Sequence, residues 1–310
     1  MFLVLINDVG FENQQNNAGD VATSKRNMRE ANRIHLKFVD DVTFAESIDL
    51  KEKLVQASED RPQPDNFHSR TGHALPFHQS QVYQQLLETE KYAKDNEMQI
   101  NYKKTKLIMF NPAKSLDFMP EFTLGGNEME LVEEMKLLGL IFRSDLKWSS
   151  NTESMVLKGF KRLWMLRRLK QYGAKDEELL DVYVKQIRSV LELAVPVWQS
   201  SITLQERCDL ERVQRAALNI ILGYRYSSYK EALEAFEMDS LEVRRVKLCS
   251  KFAHKAVKHS KFTKWFKVNE GRSRTRQEQP QYCHVRARLG RYQKSPLSYL
   301  TEILNCTRKK

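Results

Sequence analysis

The sequence predicts an α+β fold, mainly helical, with antiparallel hairpins and one helix in its first part and a helical bundle after residue 148. Three observations carry this. Ile34, Leu36 and Phe38 alternate with His35 and Lys37, and alternation resumes at Val42 and Phe44; that is the period of a strand on each side of a tight turn. Gly125-Gly126-Asn127 separates Phe122-Thr123-Leu124 from Glu128 to Leu131, a second hairpin signal, because short hairpin turns need residues that tolerate positive φ. After Trp148 the apolar spacing changes to three and four, punctuated by Ser150 with Glu153, Thr203 with Glu206 and Ser228 with Glu231, the pattern of helix-capping boxes.

In chain order, Met1-Phe2-Leu3-Val4-Leu5-Ile6 is apolar from the first position and reads as an element cut in two. Residues 11–33 are polar and Asn-rich, a loop. Asp40 and Asp41 stand at the tip of the first hairpin. Asp is an ordinary turn residue, but two adjacent carboxylates repel unless a cation sits between them. Residues 58–80 read as an exposed linker, and the spacing of His68, His73 and His78 matches no zinc pattern. Gln81 to Asn96 is helical in period, with Val82, Leu86, Tyr92 and Ala93 on its apolar positions. Met98 to Asn101 and Lys106 to Phe110 read as short extended segments around a basic turn, Tyr102-Lys103-Lys104-Thr105, and Pro112 stops the second. Lys136 to Phe142 reads as a strand holding Gly139, where a bulge or a close backbone approach is expected.

Helices are expected over approximately 151–172, 176–194, 204–222, 229–236 and 241–259, with Gly173 and Gly223 at C-terminal caps and Pro196 bending or ending the second. Trp164, Tyr183, Trp198 and Phe236 read as core residues in preference to base-stacking platforms, since large aromatics dominate core energetics. The resulting division is 1–148, 149–262 and a basic, largely irregular tail at 263–310.

The formal net charge is +11. Residues 267–310 hold 11 Lys/Arg against Glu270, Glu278 and Glu302, a net of +8, which leaves +3 for the rest. Such a chain favours phosphate-rich partners through counterion release. Cys208, Cys249, Cys283 and Cys306 form no CxxC pair, so the simpler reading is reduced thiols and neither a zinc ribbon nor a disulfide framework. The apolar opening lacks a basic flank and is too short for a signal peptide or a membrane span. No membrane association and no secretion are expected, and no specific protein partner.

Six segments in one order then bear on function. They are Phe38-Val39-Asp40-Asp41; Ile100-Asn101-Tyr102-Lys103-Lys104-Thr105, an I-N-x-x-K-T pattern; Met135-Lys136-Leu137-Leu138-Gly139-Leu140; Leu146-Lys147-Trp148; Val182-Tyr183 with Leu191-Glu192-Leu193-Ala194-Val195-Pro196-Val197-Trp198; and Leu210-Glu211-Arg212-Val213-Gln214. An Arg291-Tyr292…Ser295-Pro296…Tyr299-Leu300 stretch follows. This series resembles the reverse transcriptases of non-LTR retrotransposons, from the end of the palm through the thumb and beyond. The resemblance implies a partial polymerase palm over 1–148 and a thumb-like bundle over 149–262. It implies an RNA template, a DNA primer and dNTP as partners. It also implies two Mg²⁺ ions held by carboxylates, with Asp40 binding metal and Asp41 assisting. Lys104 falls in the motif near the departing pyrophosphate, where it would donate a proton or neutralise charge. Leu138, Gly139 and Leu140 match the segment that positions the primer terminus, glycine allowing close backbone approach. Lys158, Lys161, Arg162, Arg167 and Arg168 would meet nucleic-acid phosphates; the alternative for each is a solvated helix face.

The same resemblance places Met1 to Gly10 at the end of a helix, with Asp8 in a helix-end context that does not replace the family's first catalytic aspartate. That aspartate, the fingers and the endonuclease match none of these residues. The expectation is therefore a truncated reverse-transcriptase region, inactive alone, or alternatively a nucleic-acid-binding remnant without catalysis. Residence is expected in nucleus or cytoplasm.

Overall fold

The computed structural model describes residues 2–10, 33–38, 41–47, 81–110, 123–124, 126–269, 281–284 and 290–306. The fold is α+β and mainly helical. It divides into two units, Met1–Leu146 and Lys147–Lys310. Asp40, most of the polar loop after Gly10 and the histidine-bearing linker lie outside the described residues.

The first unit is built on a sheet with β1 (Phe2–Gly10) in its interior. On one side β1 pairs antiparallel with β3 (Asp41–Ser47), which pairs with β2 (Arg33–Phe38). On the other it pairs with β4 (Gln99–Ile100) and β5 (Lys106–Phe110). β8 (Glu130–Val132) adds to β5 in parallel. The resemblance puts a helix end at Met1 to Gly10; the structure corrects this to a strand. Phe2, Val4, Ile6 and Val9 are β-formers, and neighbours on both edges satisfy the strand's backbone hydrogen bonds.

Helix α1 (Gln81–Asp95) packs on β3 and β4 and buries Val82, Leu86 and Ala93. The Gly-rich hairpin forms as expected between β6 (Thr123–Leu124) and β7 (Asn127–Glu128), with Gly126 at φ +77°. The single strand expected over Lys136 to Phe142 is instead a hairpin, β9 (Glu134–Leu137) and β10 (Leu140–Arg143). Leu138 and Gly139 both take positive φ, 48° and 88°, the conformation of a two-residue type I′ turn. Folding back there lets Met135 join Ile108 and Phe110 in the core, with Val132, Leu137 and Phe142 against them.

The second unit is helical: α2 (Ser149–Gln171), α3 (Asp176–Val182), a π-helical stretch Tyr183–Arg188, α4 (Ser189–Leu191), α5 (Val195–Trp198), α6 (Leu204–Leu222), α7 (Tyr229–Ala235), α8 (Leu241–Lys258), α9 (Gly290–Gln293) and α10 (Pro296–Cys306). Thr203 with Glu206 makes the expected capping box, and the Ser228 side chain accepts from the Glu231 backbone N–H. Ser150 does not cap: α2 begins before it, at Ser149. The second helix stops at Leu191, a turn through Ala194 (φ +49°) follows, and Pro196 then sits in the first turn of α5, where its missing N–H costs nothing. The core gathers Leu163, Leu166, Tyr183, Ile187, Leu191, Trp198, Leu210, Val213, Ala217 and Ile221.

Within the segment expected as a largely irregular tail, the described residues 263–269, 281–284 and 290–306 hold regular structure and tertiary contacts. Val268 and Tyr282 form a β-bridge, and buried Phe266 meets Tyr282 edge-on at 6.2 Å. Asn305 accepts from the Tyr282 N–H at 3.0 Å and donates to its carbonyl at 3.1 Å. α10 packs on α8 and buries Leu300 and Leu304. A short amphipathic helix late in a polar segment carries little local signal, and its partner α8 supplies the apolar surface that holds it. Among the described residues no helix is long and apolar enough to cross a membrane.

Candidate functional site

The acidic turn is defined by its register. Asp41 opens β3, opposite Phe38 on β2 and opposite Asp8 on β1. Two acidic positions thus stand in register at one end of β1. Asp8, assigned to a helix end on resemblance, occupies a strand position instead, and only the long-range pairing of β1 with β3 brings it to Asp41. Asp40 lies outside the described residues. Among the described residues, His, Cys, Asp and Glu form no group of three that would hold a metal ion.

The lysine motif flanks the same end. β4 meets β1 at Val9 and Gly10, and β5 meets it from Ile6 back to Phe2. The turn between them, Asn101 to Thr105, therefore runs alongside Asn7 and Asp8. Its shape comes from Asn101 and Thr105. The Asn101 carbonyl accepts from the backbone N–H of Lys104 and of Thr105, each at 3.1 Å, and from the Thr105 hydroxyl at 3.0 Å. The Asn101 side-chain oxygen also accepts from the Lys104 N–H at 3.2 Å. Thr105 is buried while Lys104 is exposed, so the pattern folds a compact turn around a presented lysine. Burial, together with the charge and hydrogen bond of Glu90, raises the Tyr102 hydroxyl above its ordinary range.

Leu138 and Gly139 form the tip of the β9–β10 hairpin. Leu138 is 53% exposed in a left-handed conformation that costs a non-glycine residue about 1–2 kcal/mol, whereas Leu140 is buried.

In the second unit the residues expected to meet phosphates divide. Lys158, Lys161, Arg167 and Arg168 are exposed on α2. Arg162 is partly withdrawn, its guanidinium donating to the Gln186 carbonyl of the π-helical stretch. Lys170 donates to the carbonyls of Ile220 and Ile221 at 2.6 and 2.8 Å, capping the end of α6. Trp164 corrects an expectation: it is 59% exposed. Leu157, Lys161, Trp164 and Arg168 recur at four, three and four along one exposed face, so an aromatic ring stands between two cations. That spacing is visible in the sequence; what is not visible is that Met155, Gly159, Leu163 and Leu166 supply the buried face. Tyr183 and Trp198 are buried as expected.

The motif residues Tyr183, Glu211 and Gln214 belong to a buried polar network. Tyr183 donates to Gln214 at 2.6 Å, and Gln214 donates to the Tyr229 hydroxyl at 3.1 Å and to the Asp239 carbonyl at 3.0 Å. Tyr229 donates to Glu211, which also accepts from the Leu241 N–H at 3.0 Å. The buried Arg245 donates to Gln199 at 2.9 Å and lies 4.0 Å from Glu211. Burial raises both tyrosines above the ordinary phenol range, keeping them as donors. These residues fix helix packing; their chemistry is structural. Trp198 plays a similar part, donating to the Leu193 carbonyl at 2.8 Å.

Comparison with protein-family models finds no match, and none is found among curated proteins or among solved structures. Function therefore rests on the residues and their arrangement.

Proposed function

We propose that the chain is a reverse-transcriptase region of a non-LTR retrotransposon, an RNA-directed DNA polymerase by descent, and that these 310 residues alone do not polymerise. The observation that carries this is that the acidic turn and the lysine turn, distant in sequence, flank one end of β1. In this reading Asp40 and Asp41 contribute carboxylates to a two-metal site. Hard oxygen donors, with Asp8 also in register, fit Mg²⁺ by chemistry. When bound, the metal pair would stabilise attacking and leaving oxygens in nucleotidyl transfer. Lys104 would neutralise the departing pyrophosphate, and the Leu138–Gly139 tip would seat the primer end. Lys158, Lys161, Arg167 and Arg168 would hold phosphates of the template–primer duplex. None of the residues matches the family's first catalytic aspartate, and losing such a ligand removes charge stabilisation that normally supplies several kcal/mol.

The second reading, nucleic-acid binding without catalysis, is favoured by Trp164 standing exposed between Lys161 and Arg168. A ring flanked by cations serves a base and its phosphates together. A primer-extension assay with RNA template, DNA primer, dNTP and Mg²⁺ separates the two readings from an active enzyme. The expected result is no extension by the chain, with duplex binding that weakens several-fold in Lys161→Ala/Arg168→Ala. Robust incorporation abolished by Asp40→Ala would overturn the inactivity, and binding indifferent to the α2 variant would overturn the grip.

A further inference from the structure

The α2 face is not the most cationic surface of the second unit. From Val243 to Asn269 the sequence holds Arg244, Arg245, Lys247, Lys251, Lys255, Lys258, Lys261, Lys264 and Lys267 and no Asp or Glu. α8 sorts these by burial. Leu241, Arg245, Cys249, Ala253 and Ala256 face inward. On the opposite side Lys247, Ser250, Lys251, His254, Lys255 and Lys258 make one open surface along the helix. We propose that this face is a nucleic-acid phosphate-backbone surface, separate from the α2 face and independent of whether the Asp40–Asp41 turn is catalytic.

Regular spacing argues for a polyanion and against a single anion. Residues three or four apart on a helix step about 4.5–6 Å along its axis, so Lys247, Lys251, Lys255 and Lys258 make a row of charges along one side of α8. Asp239 pairs with Lys247 at 2.6 Å and reduces the charge at that end. The row's far end runs into aromatics: Phe262 lies 4.8 Å from Trp265 and 5.2 Å from His259, and Trp265 is 52% exposed. Cations interleaved with an exposed ring suit a strand that offers both phosphates and bases. A lipid surface fits less well, because membrane-bound helices insert an apolar face, while Leu241, Cys249, Ala253 and Ala256 of α8 are buried, the helix packs on α5, α6 and α10, and Val243 and Val246 alone are its exposed large apolar residues. The two cationic faces stand on different helices, both of which pack on α6.

The test uses the full chain and a fluorescein-labelled RNA–DNA duplex, with the matching single strand and phosphatidylserine vesicles as further arms. Binding is followed by anisotropy from about 50 to 200 mM salt, a range over which phosphate contacts lose most of their affinity. In Lys251→Gln/Lys255→Gln/Lys258→Gln the slope of log K against log salt should flatten by about 2–3, at roughly 0.9 per lost duplex contact and 0.7 per single-strand contact. The triple Lys→Arg variant should retain the slope. These side chains are exposed, and an unchanged circular dichroism spectrum checks the fold. Wild-type slope and affinity in the Gln variant overturn the proposal, and so does an effect confined to the vesicles. Loss in the α8 variant with no effect of the α2 variant supports this surface and removes the α2 grip; the reverse result removes this surface alone.

Discussion

Gly159 shows how much one missing side chain decides. It is buried where α2 crosses α6, and a Cβ there would come within 2.8 Å of Val213 Cγ1. Valine has one preferred rotamer on a helix and cannot swing away. Gly159→Ala should therefore destabilise the second unit by about 1–3 kcal/mol through overpacking, against the usual gain of Ala over Gly in a helix; denaturant unfolding with unchanged or raised stability would refute this. Cys249 offers a second test. Burial pushes its thiol up to about 12, while Cys208, Cys283 and Cys306 are exposed. At pH 8 iodoacetamide should modify those three and spare Cys249 until the chain unfolds, since the thiolate is the nucleophile. The linkage runs in the same direction. The folded state favours the neutral thiol, so the contribution to stability is complete below the unfolded pKa near 9 and is lost as pH rises toward 12. Neither residue's role is legible in the sequence, where Gly159 looks like a helix-weakening residue and Cys249 like any unpaired cysteine; α6 and α10 make the difference.

At the scale of elements, what was legible depended on how local the signal is. Thr203 with Glu206, Ser228, Gly173 and Gly223 mark helix ends through contacts within a turn, and the boundaries they imply are the observed ones to within a few residues. The β9–β10 hairpin was hidden for the complementary reason. A type I′ turn ordinarily announces itself as Asn-Gly or Asp-Gly, and Leu138 in the first position reads as strand. Leu138→Gly should relieve the left-handed strain while giving up only the covered part of a side chain that is 53% exposed, and stabilise the first unit by about 1 kcal/mol. A melting temperature that falls would mean the exposed leucine makes a contact that the strain hides. The lysine motif lies between these cases. Its residue types were legible, and the structure adds that Asn101 and Thr105 shape the turn that presents Lys104.

At the scale of the whole molecule, the division at Leu146–Lys147 lies close to the expected boundary at 148, where hairpin spacing gives way to helical spacing. The second unit carries its own core, a buried hydrogen-bond network and its own cationic faces. Residues 147–310 expressed alone should accordingly unfold in one cooperative transition that thermal circular dichroism can follow. The contacts of Tyr282 with Phe266 and Asn305 predict that the described part of the tail unfolds with that unit. Asn305→Ala removes both bonds to Tyr282 and should cost about 1–2 kcal/mol, or roughly 2–4 °C in Tm for each kcal/mol at this size. A gradual transition, or indifference to Asn305, would return the tail to the irregular segment its composition suggests.

Local chemistry was enough to specify the helix spans, most of their caps, the Gly125–Gly126 hairpin and the excess of cations, because each depends on residues within a turn or two of one another. Tertiary contact decided the rest. Phe2 to Gly10 is a strand because β3 and β5 pair with both its edges, and that pairing sets Asp8 opposite Asp41. Trp164 is exposed and Tyr183 buried although both are aromatics at helical spacing. Their fates differ because burial belongs to whichever face meets a neighbouring helix, and the free energy of that meeting is shared between residues far apart in the chain.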